Sequence, residues 1–122
     1  MESPFKVTGI DHVVFHVKDL ARAKTFYLDF LGMTLDHESS WQCFLKCGNQ
    51  GIALFEVDDG EDVHGGSEIN HMALSLAAGD YARVKATLET AGIEVHGRRG
   101  DPHCIYLHDP DGHQLQLLMP ND

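Results

Sequence analysis

Ile10-Asp11-His12-Val13-Val14-Phe15 near the start of the chain and Ile69-Asn70-His71-Met72-Ala73-Leu74 past its middle are two versions of one phrase. Each phrase leads through an aspartate, Asp19 or Asp80, into an amphipathic run that stops at Gly32-Met33 or Gly92-Ile93. Histidine to glycine is 20 positions in the first copy and 21 in the second. Later in each copy comes a glycine-led apolar strand, Gly51-Ile52-Ala53-Leu54-Phe55-Glu56 and Gly112-His113-Gln114-Leu115-Gln116-Leu117. Aligned with one inserted residue, the copies set Glu56 opposite Gln116, as His12 stands opposite His71. Such a repeat makes each half one supersecondary unit.

Within each half the hydrophobic period switches in the same order. Residues 7 to 17 alternate as a strand, with His12, Val14 and His16 on one face and Val13, Phe15 and Val17 on the other. From Asp19, an N-cap, the apolar residues Leu20, Ala23, Phe26, Tyr27, Phe30 and Leu31 recur at helical spacing until Gly32. Strands are expected near 34–38, 42–47 and 51–57. The second half repeats this with a strand at 69–76, a helix from Asp80, and strands near 94–97, 104–108 and 113–119. Each half reads βαβββ. The expectation is an α+β fold over residues 1–122: module one at 6–57, a polar linker at 58–68 and module two at 69–119. The two modules would form a cupped, mostly antiparallel sheet with helices on its outer face. Asp109-Pro110-Asp111-Gly112 reads as a tight hairpin turn with no chemistry of its own.

Composition narrows the function. The chain has 122 residues, 43% hydrophobic and 23% charged, which is globular material for one domain. A formal charge of -10 repels phosphate backbones and anionic lipid, so nucleic acid and membrane surfaces are excluded as partners. The start, Met1-Glu2-Ser3-Pro4, has no basic stretch followed by an apolar segment, and a cytoplasmic location is expected. Cys43, Cys47 and Cys104 are too sparse for a disulfide framework and read as reduced thiols. Nine histidines are the oddity, because imidazole is the commonest metal ligand. His37, His64, His96, His103, His108 and His113 fall in loops or at strand ends and read as solvated.

Two histidines at matched strand positions, each followed by an oxygen-bearing side chain on a matched later strand, point to a divalent metal. Two imidazoles and a carboxylate hold an ion while leaving positions open for substrate or water. A lone carboxylate in the apolar run Ile52-Ala53-Leu54-Phe55-Glu56-Val57 would be costly without a cation, so Glu56 belongs to this set. His16, Trp41, Phe44, Tyr106 and Gln114 are expected to line the cup and contact substrate.

The segments I-D-H-V-V-F-H-V-K-D-L, F-Y-L-D-F-L-G-M and D-P-D-G-H-Q-L-Q-L resemble the vicinal oxygen chelate superfamily, in this order and over essentially the whole chain. The superfamily includes glyoxalase I, fosfomycin-resistance enzymes, extradiol dioxygenases and bleomycin-binding proteins. The resemblance implies paired βαβββ modules around one divalent transition metal (Zn, Ni, Mn, Co or Fe), usually in a homodimer, with His12, Glu56, His71 and Gln116 on the ligand positions. One position departs from the pattern, since Gln116 stands where the last-strand ligand is usually Glu. Glutamine keeps an oxygen donor but loses the charge and the proton-accepting ability. The implied activity is a metal-dependent lyase, isomerase or dioxygenase of the glyoxalase type on a small substrate chelated through adjacent oxygens, with Glu56 moving the proton. The alternative is metal-independent sequestration of an antibiotic or aromatic molecule in the same cup.

Overall fold

The computed structural model describes residues 3–5, 8–58, 60–63 and 69–120. The chain divides into two compact units, residues 1–63 and 64–122. In the first, β1 (His12–Val17) is followed by α1 (Leu20–Lys24), which runs on into a π-helical turn at Thr25–Phe30, and then by β2 (Thr34–Glu38), β3 (Gln42–Cys47) and β4 (Gln50–Glu56). The second holds β5 (Met72–Ser75), α2 (Tyr81–Thr90), β6 (His96–Arg98), β7 (Asp101–His108) and β8 (Gln114–Leu118). The sheets have matching orders, β1-β4-β3-β2 and β5-β8-β7-β6. In each, the first strand lies parallel to the last and the other neighbours are antiparallel. Both units are therefore βαβββ modules of an α+β fold.

The helices begin where the sequence places them. Asp19 Oδ1 accepts from Arg22 N at 3.1 Å, and Asp80 Oδ1 accepts from Arg83 N at 2.9 Å, each satisfying an amide that the first helical turn leaves without a partner. Gly32 at φ 77° and Gly92 at φ 79° end the two runs in the left-handed region. One face of each sheet is closed. In unit one Phe15, Val17, Cys43, Leu45, Ile52 and Leu54 are buried together with Leu20, Ala23 and Tyr27 of the helical segment. In unit two Ile105, Leu107, Leu115 and Leu117 are buried with Leu88 of α2. Full burial of each large apolar side chain is worth about 1.5–3 kcal/mol, which ties each helix to its sheet.

Several boundaries differ from the sequence expectation. The first strand starts at His12, because only from there does β1 pair with β4; residues 8–11 lie outside the ladder and residue 7 lies outside the described residues. The helix after Asp19 is not uniformly α: Leu31 N bonds back five residues to Phe26 O at 3.0 Å, the widened closure of a π turn. β5 begins at Met72, one residue past His71. The expected linker 58–68 falls partly outside the described residues. The turn at Asp109 is as expected: its Oδ1 accepts from Asp111 N and His113 N, both at 2.9 Å, and Gly112 takes φ 88°. His113 is a correction, since that turn folds it inward and only 7% of it is exposed. No described helix is long and apolar enough to cross a membrane.

Candidate metal and substrate site

The face of each sheet away from its helix carries the polar residues. In unit one the register groups His12, Val14 and His16 of β1 with Gly51, Ala53 and Phe55 of β4, Phe44 of β3 and His37 of β2. Gly51 allows the close approach of β1, because a Cβ there would stand 3.0 Å from Asp11 O and 3.1 Å from His12 Cβ. Phe44 is the hub of an aromatic cluster. His37 stacks on it at 4.3 Å between centroids, while His12 at 6.1 Å and Phe55 at 5.8 Å meet it edge-on. Trp41, half exposed, packs edge-on against Phe55 at 5.4 Å. A cavity of ≈ 300 Å³ opens among Asp11, His12, Asp36, His37, Phe44 and Lys46.

In unit two the matching face carries His71, Ala73 and Ser75, then Gln114 and Gln116 of β8, Tyr106 and His108 of β7, and His96 of β6. Tyr106 is the hub here, with His71 edge-on at 5.1 Å and His96 stacked at 5.6 Å. Arg98 Nη1 donates to the Tyr106 hydroxyl at 3.4 Å, a bond that pushes the guanidinium further above its ordinary range. Gln116 is 7% exposed. Its amide oxygen is a neutral donor of the kind a divalent cation accepts.

Both key histidines are held in the same way. His12 Nδ1 lies 2.8 Å from Asp11 Oδ2, and His71 Nδ1 lies 2.7 Å from Asn70 Oδ1. With Nδ1–H donating to the preceding side chain, each Nε2 keeps its lone pair for a ligand. Imidazole nitrogen and amide oxygen together suit Zn, Ni, Mn, Co or Fe. Within neither unit do three His, Cys, Asp or Glu side chains gather at one point among the described residues.

Glu56 departs from its assignment. It pairs with Val17, whereas His12 pairs with Gly51, so the two stand five residues apart along the ladder, about 16 Å at ~3.3 Å per residue. It also lies on the helix-facing side of β4, alternating with Phe55, and its Oε2 accepts from Leu20 N at 2.8 Å. Glu56 caps α1 and is neither a partner of His12 nor a base in its cavity. The register also corrects the alignment of the copies. Gln116 pairs with Ala73, two residues past His71, while Val14, two past His12, pairs with Ala53. Ala53 is the counterpart of Gln116, and unit one has no oxygen donor there.

Of the expected lining residues, Phe44, His16 and Trp41 belong to the unit-one cluster or face, and Tyr106 and Gln114 to that of unit two. The sequence reading missed His37, whose Nδ1 lies 2.9 Å from Asp36 Oδ2, and His96, which stacks between Tyr106 and His108. Alternation within β2 and β6 was the available signal. His64 lies outside the described residues.

A family model described as the Glyoxalase/Bleomycin resistance protein/Dioxygenase superfamily matches residues 9–117. Among curated proteins, glutathione transferase FosA of Serratia marcescens is 29% identical over 111 residues, spanning 89% of this chain and 79% of that protein. Metallothiol transferase FosB of Bacillus licheniformis is 28% identical over 118 residues, spanning 92% of this chain and 75% of that protein. Among solved structures, the fosfomycin resistance protein FosX of Listeria monocytogenes, complexed with Mn(II) and sulfate, superposes with a TM-score of 0.75 at 22% identity, covering 93% of this chain and 91% of that one. At that identity the likeness speaks for the fold.

Proposed function

Because the chain belongs to the glyoxalase/bleomycin resistance protein/dioxygenase superfamily, we propose that it is a divalent-metal-dependent enzyme acting on a small substrate with adjacent oxygens. His12, His71 and Gln116 hold the metal, and the protein works as a cytoplasmic homodimer. The observation that carries this reading is the repeated histidine, each with Nδ1 engaged by the residue before it and Nε2 left for a ligand. When bound, the ion supplies Lewis-acid polarisation of the substrate oxygens. The chain's residues do the rest. Gln116 offers a neutral amide oxygen, Phe44 and Phe55 give an apolar wall, and Tyr106 presents a hydroxyl steadied by Arg98.

The chemistry follows from what Glu56 does. Isomerase and lyase reactions of the glyoxalase type need a positioned base to remove a carbon-bound proton. Glu56 is occupied at α1, and a glutamine at 116 accepts no proton. Transfer of a thiol asks less, since a thiol ionises unaided near pH 8.5. The names of the FosA and FosB relatives, a glutathione transferase and a metallothiol transferase, agree with addition of a thiol to a small oxygen-rich molecule. A second reading, sequestration of an aromatic ligand without turnover, is favoured by the His37–Phe44 stack and the neutral residue 116.

Elemental analysis and cobalt titration of untagged protein test the metal. One equivalent per chain is expected, lost in His12→Ala and in His71→Ala, and bound more tightly in Gln116→Glu. Less than about a tenth of an equivalent of every transition metal after reconstitution would refute the reading, because such a donor set retains an ion. Turnover is then measured with fosfomycin plus glutathione or cysteine, beside hemithioacetals and catechols. Aromatic ligands binding equally to loaded and stripped protein, with no turnover, would establish sequestration instead.

A further inference from the structure

The geometry points to Asp11 as a positioning residue that supplies the negative charge of the metal centre, an inference that rests on the metal-binding reading above. Each donor assigned there is neutral: two imidazoles and one amide. A divalent ion in such a set gains nothing from direct charge pairing, so charge carried one bond further out weighs more than it would beside a ligating carboxylate. Asp11 Oδ2 lies 2.8 Å from His12 Nδ1, so its carboxylate both fixes the ring and makes the imidazole a stronger donor.

The second copy of the motif isolates the charge. His71 Nδ1 meets Asn70 Oδ1 at 2.7 Å, which orients the ring equally well but brings an amide. The two histidines thus share one holding device and differ by one unit of charge. The cavity beside His12 also presents Asp36, paired with His37 at 2.9 Å, and Lys46. Asp36 is committed to a ring that is not assigned to the metal, which leaves Asp11 as the acidic group bonded to a ligand. Its side chain is 97% exposed, so water screens it and the effect belongs at the low end of the range for such partners.

The test is calorimetric titration of Co(II) into untagged, metal-free full-length protein at one fixed pH, with the visible cobalt spectrum as a second readout. Asp11→Asn keeps an oxygen for Nδ1 and removes the charge; about tenfold weaker Co(II) binding is expected. Asn70→Asp adds the charge on the other side and should tighten binding by about the same factor. The double variant Asp11→Asn with Asn70→Asp should return to within about threefold of the unaltered protein, a rescue that a merely structural role would not give. Asp11→Asn binding Co(II) as tightly as the unaltered protein overturns the inference while leaving the metal site standing. Should Asp11→Asn fail to fold, an unchanged affinity in Asn70→Asp overturns it alone. No Co(II) binding by the unaltered protein, or none lost in His12→Ala, instead removes the metal-binding reading beneath it.

Discussion

Glu56→Ala separates the structural role of this carboxylate from the ligand role its sequence position suggests. The side chain makes one charge-assisted hydrogen bond of 2.8 Å to Leu20 N, the first amide of α1. Loss of a capping acceptor costs about 0.5–2 kcal/mol, and loss of a negative charge at a helix N-terminus about 0.3–1 kcal/mol. These overlap, and Glu56 is solvent-exposed, so about 1–1.5 kcal/mol is expected for the alanine variant. Glu56→Gln keeps an acceptor and should lose only about 0.5 kcal/mol. At a urea slope of ~2 kcal/mol/M, the alanine variant's midpoint falls by roughly 0.5–0.7 M. Circular dichroism during urea unfolding reads this, and cobalt titration of the same samples should show unchanged affinity. Unaltered stability together with abolished metal binding would refute the reasoning, since that is the signature of a lost ligand.

Asp109→Ala removes the acceptor shared by Asp111 N and His113 N inside a buried turn, and about 2–3 kcal/mol of destabilisation is expected in a urea titration. Burial pushes the Cys43 thiol up, with the Lys24 ammonium acting in the opposite sense and the Glu38 carboxylate in the same sense as burial. Its folded pKa lies above the unfolded one, so its contribution to stability is intact below about pH 8.5 and is lost as pH rises from there through the raised value. Urea midpoints measured from pH 7 to 10 should decline with a slope that flattens in Cys43→Ala. At pH 8 iodoacetamide should label the half-buried Cys47 and Cys104 first, with Cys43 reacting only on unfolding, as peptide mass spectrometry will show.

The fold was legible because its signals are local and repeated: an N-cap aspartate, a helical period and a stopping glycine, written twice. The site was legible only in part. His12, His71 and Gln116 could be placed on the open faces by alternation alone, because period-two patterning survives without knowledge of pairing. Glu56 could not. Counting along the chain put it opposite Gln116, but equivalence in a sheet is set by the ladder, and the hairpins between the strands differ in length. The parallel partner of His12 is 39 residues on, at Gly51, whereas that of Met72 is 43 on, at Leu115. An odd shift in register moves a side chain to the opposite face, and here it moved a carboxylate from the open face to the helix. His113 was missed for a related reason, since its burial comes from the Asp109 turn and not from any periodicity.

Each unit keeps its own apolar layer between helix and sheet, so the exposed residues of the open face, His12 and His37 among them, carry little of the module's stability. At matched rungs, unit one carries Ala53 and no oxygen donor while unit two carries Gln116. A substitution at such a rung alters what the unit can hold while leaving its helix-to-sheet layer in place.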